Sequence, residues 1–300
     1  MAMEHPMVAP PPPPPAPPPP QPSAVPHKKK LYQAIAEGKA AVEGDHEEAR
    51  ILLAQRERSF RKDLQWLLFN KYVPSLIQNG PQCGLVALWM ATHLLHPAKR
   101  VSMETVVQTA LDRGYTAQGE MFSAQDMAVL AEEVCGCKAV RLSGGIEGHN
   151  TVFIMKHLTT GQPVLIPYDE DFNHAPCQRN GHKAHWAVAS GVLLGLAPGS
   201  VDTEQLHPDS ALPWLNFLAD GAPCSWPVGA VQEVYILAKQ GKSLRYQLWK
   251  LDAVSQSNAQ LREMAPLRAG DGTHYVLPEG GVGKGLAGQV VLLHTNTQAQ

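Results

Sequence analysis

The sequence predicts an α+β fold, on the strength of three observations. Apolar residues recur at helical spacing from about residue 45 to 136, short runs rich in Val, Ile, Leu and aromatics take over from Gln162, and no solenoid or propeller period is present. With 300 residues and 44% hydrophobic positions, the chain can bury a sizeable core in one or two domains.

The amino end is a different material. Of the 26 prolines, 13 fall between Pro6 and Pro26. Pro10–Pro15 and Pro17–Pro20 fix φ and carry no N–H, so this segment is expected to be polyproline II or disordered. The expected division is a proline-rich segment over 1–30, a helical region over 31–72 and one domain over 73–300.

The elements then follow in order. Asp45 with Glu48 resembles a capping box, and Leu53, Phe60, Leu64, Leu67 and Leu68 carry a helical pattern to about residue 69. Pro74 and Gln78-Asn79-Gly80-Pro81 break it. A second helix over 82–95 is apolar nearly all round, which marks it as buried. Ser102 opens a third helix, ending near Arg113, and Ser123 with Asp126 opens a fourth that Gly136 closes. Strands are expected at 163–168, 185–194, 231–238, 245–249 and 289–293, with a long loop over 198–230. Gly280–Gly285 lacks the Ser or Thr and the following helix of a phosphate loop, and is expected to be a flexible hairpin.

A net charge of -2 and a single short basic run, Lys28–Lys30, argue against nucleic acid as a partner. No apolar run approaches the roughly 20 residues that span a bilayer, so no membrane segment is expected. The start lacks the pattern of a secretory signal, and five cysteines are too few and odd in number for a disulfide framework. A reducing, cytoplasmic setting is the expectation.

The most informative stretch is Gln78-Asn79-Gly80-Pro81-Gln82-Cys83-Gly84-Leu85, where a cysteine meets the start of a buried helix. A helix N-terminus carries about half a positive charge, which favours thiolate over thiol, so Cys83 is the candidate nucleophile. Its own N–H and the amide of Gln78 are candidate oxyanion donors, with Gln82 expected to point elsewhere. Gly84 is expected to admit a substrate backbone. His185, 102 residues later at the start of an apolar strand, is the candidate base. A helix bearing Cys followed by a sheet bearing His is the order of a papain-like domain.

Four longer stretches, Gly80–Met90, Arg113–Ser123, Leu165–His174 and Gly181–Val188, closely resemble the actin maturation protease family, and the proline-rich end fits as well. More distantly, the Gln…Cys-Gly and His-Trp elements are similar to the bacteriocin-processing type of papain-like cysteine peptidase. The resemblance implies a cofactor-free cysteine peptidase that removes the N-acetylated first residue, Met or Cys, of immature actin. It also implies profilin as a partner of the polyproline end, with Cys83 as nucleophile and His185 as base.

The residue that would orient His185 stays open at this point: residues 221–251 contain no aspartate, leaving Asp252, Asp169, Asp171 or a backbone carbonyl. For an acidic substrate, Lys183 or Arg179 is the expected nearby cation. Two competing readings remain. His174, Cys177, His182 and His185 have ligand types and spacing for zinc, which would take His185 away from the thiol. Alternatively, the chain is a noncatalytic adaptor for actin and profilin. Cys135 and Cys137 read as structural.

Overall fold

A single 13-residue strand organises the molecule. The computed structural model describes residues 41–95, 100–219 and 226–296, so the polyproline segment and Cys224 lie outside the described residues. The organising strand is Ala184–Leu196 (β5), buried along nearly its whole length. On one edge its first half pairs with Val164–Glu170 (β3) and its second half with Gln65–Asn70 (β1); on the other edge it pairs with Val231–Gln240 (β8), all antiparallel. The register shifts at Gly191, where a Cβ would lie 2.3 Å from Asn70 Oδ1 and 2.5 Å from Phe69 O. Only glycine lets the two strands meet there.

The sheet continues outward through Val290–His294 (β10) to Lys138–Leu142 (β2) on one side, and through Leu215–Leu218 (β7) to Leu206–Pro208 (β6) on the other. Pro176–Cys177 (β4) pairs with β3 and Gln247–Lys250 (β9) with β8. Among these pairings only β1 with β7 is parallel.

One face of the sheet carries His46–Arg56 (α1), Cys83–Thr92 (α2), Met103–Asp112 (α3) and Ala124–Cys135 (α4), packed with Trp186, Val188 and Leu193 of β5. The other carries His149–Thr159 (α5) and Leu251–Ala259 (α6), packed with Ala187, Ala189 and Val192. The α+β class is therefore as expected, with a cysteine-bearing helix laid against a histidine-bearing antiparallel sheet. The helix signals act as read: Ser102 Oγ accepts from Thr105 N at 3.0 Å, Ser123 Oγ from Asp126 N at 3.1 Å, and Gly136 ends α4 with φ 64°. Helix α2 has no polar side because all but Trp89 of its residues are buried, and it ends at Thr92 rather than residue 95.

Four expectations are corrected. The helix expected over 45–69 stops at Arg56, and Gln65–Asn70 is a strand. Trp66 and Leu68 face one core while Leu67 faces the other, a period of two that a short apolar run does not distinguish from a helix turn. The loop expected over 198–230 contains the β6–β7 hairpin. The hairpin expected at Gly280–Gly285 is a short helix, Gly281–Leu286 (α7), held by buried Val282 and Leu286. Strand β2 and helix α5 fill a stretch in which no element was expected, their amphipathic pattern being cut by glycines at 144, 145 and 148.

Candidate active site

Cys83 is the first residue of α2. The loop before it is tied to the end of β8 by Gln78 N donating to Gly241 O at 2.7 Å, and Gly80 turns the chain with φ 54°. Cys83 is 9% exposed. Burial pushes its thiol up from the ordinary value, opposed in part by the backbone N–H groups of Trp186 and Gly84 and by the Lys242 charge. Desolvation of the charged form therefore opposes the partial charge of the helix end. The Trp186 N–H contact places the sulfur beside the residue that follows His185.

His185 is the second residue of β5 and 2% exposed. Burial holds its imidazole down at about 4, against the opposing pull of the Glu170 carboxylate. Its ring stands edge-on to Tyr168 at 5.8 Å, and its Nε2 lies 3.0 Å from Gln240 Oε1. Gln240, the last residue of β8, is wholly buried. Its residue type does not announce it, because glutamine carries no charge and the papain-like pattern places Asn or Asp on that strand.

Cys83, His185 and Gln78 line one cavity of about 330 Å³, together with Met121, Phe122, Lys242, Arg268 and Tyr275. Gln78 donates from Nε2 to Gly80 O at 2.7 Å, while its Oε1 is buried without a partner. Gln82 packs its stem against Gly119, away from the cavity. Burial alone would raise Glu170, yet the hydrogen bond from His174 and the charges of His185 and Lys242 hold it down at about 2. Lys242 pairs with it directly. Glu120, on the opposite wall, accepts from the backbone N–H groups of Ala117, Gln118 and Val276 and from Thr116 Oγ1. Its carboxylate is consumed in pinning the 271–276 segment, which brings Tyr275 to the rim.

The other expected residues lie elsewhere or act otherwise. Asp252 is exposed on α6 and faces a different cavity, beside Lys250 and Glu233. Asp169 is wholly buried but spent: it accepts from the N–H groups of Arg179, Gly181 and Lys183 and from Gln260 Nε2, fixing the loop before β5. Asp171 Oδ1 caps the Asn173–Ala175 turn. Among the described residues the side chain that hydrogen-bonds His185 is that of Gln240, not any of these three. Arg179 stacks on Phe172 at 5.0 Å, and the cations that line the cavity are Lys242 and Arg268 instead of Arg179 or Lys183. Gly84 does not face the cavity, because a Cβ there would meet Met127 Cε at 2.8 Å and Met121 Cβ at 3.0 Å.

The zinc reading is not supported by the geometry. His174 bonds Glu170, His182 lies 3.5 Å from Glu263, His185 bonds Gln240, and among the described residues no three His, Cys, Asp or Glu side chains gather as a metal site. Cys135 and Cys137 are buried in the core, the Cys137 thiol donating to Ala131 O at 3.5 Å.

Residues 73–193, which span Gln78, Cys83 and His185, match the model of the actin maturation protease-like C-terminal domain. The chain is 69% identical over 271 residues to the actin maturation protease of Danio rerio, covering 90% of this chain and 88% of that one. It is 53% identical to that of Xenopus tropicalis, with 88% and 86% covered, and 52% identical to that of Homo sapiens, with 89% and 76% covered. A solved structure described as a C39-like peptidase from Bacillus anthracis aligns with 75% of this chain and 96% of its own at TM-score 0.41 and 13% identity. By the identity and coverage of the full-length relatives, this chain belongs to the actin maturation protease family.

Proposed function

We propose that this chain is a cysteine peptidase that removes the N-acetylated first residue, Met or Cys, of immature actin. The observation that carries the reading is Cys83 at the head of α2 sharing one cavity with the buried, uncharged imidazole of His185. A neutral imidazole beside a thiol is a general base ready to act, and no metal or cofactor is needed for acyl transfer by that pair. The relatives' name supplies the substrate.

In this reading His185 takes the thiol proton as Cys83 Sγ attacks the carbonyl of the acetylated residue. The oxyanion is met by the Cys83 N–H, which has no acceptor within its own helix, and by the second Nε2 proton of Gln78, the first being engaged by Gly80 O. His185 returns the proton to the leaving amine, the new amino terminus of actin. Water then hydrolyses the thioester, with His185 again the base. Profilin on the polyproline end and a cytoplasmic setting complete the proposal. Among the described residues no helix is long and apolar enough to cross a membrane. A run of prolines is a residue pattern that aromatic-lined grooves accept, because the ring fixes φ and little freedom is lost on docking.

The test is the intact mass of freshly made N-acetylated actin after incubation with the protein and with Cys83→Ala. Loss of the acetylated residue with the unsubstituted protein alone is the expected result. Cleavage by both removes Cys83 from the chemistry, and cleavage by neither, with profilin added, favours the adaptor reading.

A further inference from the structure

We propose that Gln240 is the positioning residue of His185, occupying the place that an Asn or Asp holds in other cysteine peptidases. The inference rests on the catalytic reading of Cys83 and His185, but its argument comes from hydrogen-bond accounting around one buried amide.

Gln240 Oε1 accepts the backbone N–H of Lys242 at 2.6 Å and lies 3.0 Å from His185 Nε2. The Lys242 N–H fixes which end of the amide is which, since a rotated amide would bring two donors face to face. An amide oxygen only accepts, so His185 Nε2 must carry the proton and donate it. That leaves Nδ1 as the unprotonated nitrogen, free to take the proton of Cys83. The amide nitrogen of Gln240 is buried with no partner. Leaving a buried N–H₂ unsatisfied is costly, and here it accompanies an oxygen held on both Lys242 N and the imidazole. The groups around the ring complete the case. Tyr168 packs on its edge from β3, Glu170 comes from the end of the same strand, His174 from the β3–β4 turn, Lys242 from just beyond β8 and Cys83 from α2. Of the carboxylates nearby, Glu170 is paired with Lys242 and His174, and Asp169 is taken by the loop before β5. An uncharged partner fixes the tautomer and the ring plane without stabilising imidazolium.

Three variants test this: Gln240→Leu, which fills the space without an acceptor, Gln240→Glu, which keeps the acceptor and adds charge, and Gln240→Asn, which shortens it. Two readouts are taken from pH 4.5 to 9: kcat and KM on an N-acetylated actin-derived peptide, and the rate of iodoacetamide labelling at Cys83, mapped by peptide mass. Gln240→Leu is expected to lower kcat by roughly tenfold to a hundredfold at unchanged KM. Gln240→Glu is expected to keep the fold and move the acid limb of both profiles up by about one pH unit or more, because a carboxylate raises the imidazole. Gln240→Asn is expected to fall between Gln240→Leu and the unsubstituted protein.

Gln240→Leu with unsubstituted kcat overturns the inference, as does a Gln240→Glu limb that does not move. If Gln240→Leu fails to fold, the Gln240→Glu limb alone decides. Labelling needs no peptide substrate, so an unmoved labelling profile defeats this assignment. Absence of cleavage by the unsubstituted protein, with the labelling shift present, instead defeats the peptidase reading.

Discussion

Lys239 Nζ lies 2.9 Å from Glu48 Oε2 with the lysine side chain wholly buried, so the first described helix is bolted into the strand that ends at Gln240. The ammonium also donates to Ser75 Oγ at 2.8 Å and sits 4.3 Å from the centre of the Tyr246 ring. Glu48 Oε1 accepts from Tyr246 N at 2.7 Å. The capping box read from Asp45 and Glu48 is thus half made. Asp45 caps the Glu48 N–H, while the Glu48 carboxylate turns inward to the lysine.

Removing the two partners of this pair should have unequal consequences. Glu48→Ala leaves a buried cation unpaired and is expected to destabilise by about 3 kcal/mol. Lys239→Met replaces the cation with an apolar chain of similar length and leaves Glu48, 23% exposed, able to hydrate, for a loss of about 1–2 kcal/mol. Urea melts of the two variants measure the order. A larger loss for Lys239→Met than for Glu48→Ala would contradict this account of the pair.

Stability should fall steeply on mild acidification. Burial depresses His185 and His157 to about 4, the latter also through neighbouring His294. An unfolded histidine titrates near 6.5, so between pH 6.5 and 4 the unfolded chain binds more protons and stability declines as pH falls. Each histidine contributes on the order of 3 kcal/mol to that decline. Glu170, held at about 2, adds a further loss below pH 4.5. Denaturant midpoints at pH 7, 5.5 and 4.5 should decrease in that order, and His157→Gln should flatten the slope. Equal midpoints across the range would refute the assignment of buried neutral imidazoles.

Gly84 should tolerate no side chain, for a packing reason unrelated to substrate access. Gly→Ala in a helix ordinarily gains about 1 kcal/mol. Here the added methyl would lie 2.8 Å from Met127 Cε, which can swing, and 3.0 Å from Met121 Cβ, which cannot move without its backbone. That backbone lines the cavity, and Met121 O accepts from Trp186 Nε1 at 2.8 Å. Gly84→Ala is therefore expected to destabilise by about 1–2 kcal/mol and to lower kcat. A neutral or stabilised variant with full activity would show that the wall yields freely.

Cys83 and His185 were legible because each sits where a strong local pattern changes: a Gly-Pro turn into an apolar helix, and a polar loop into an apolar strand. The four helix starts and stops at Asp45, Ser102, Ser123 and Gly136 were legible for the same reason, since caps are local. What failed was non-local. Trp66, Leu67 and Leu68 form a strand only because β5 supplies a partner edge, and the period over so short a run fits either state. Gln240 announces nothing by residue type, and its acceptor role appears only when the end of β8 meets the start of β5. The fate of Asp169 is likewise set by a loop 10 to 14 residues away, whose N–H groups absorb it.

Arg268 should select for substrate carboxylates. Of the charged side chains lining the cavity, Glu120 is satisfied by four internal donors and Lys242 is paired with Glu170. Arg268 lies over the Tyr275 ring at 5.6 Å, with the Asp271 carboxylate close enough to feel its charge, and it lines the cavity, so part of its charge is offered there. A guanidinium on an aromatic platform suits a carboxylate carried by the residues that follow the scissile bond. Such a charge-assisted contact is worth about 1.5–3 kcal/mol, or roughly tenfold to a hundredfold in binding. Arg268→Gln is expected to raise KM about tenfold for N-acetylated peptides with Asp or Glu after the first residue, with kcat little changed. Peptides with Asn or Gln at those positions should respond far less. Steady-state kinetics on matched acidic and amide peptides measure the difference, and an equal rise in KM for both series would place the effect of Arg268 in packing against Tyr275 instead of charge.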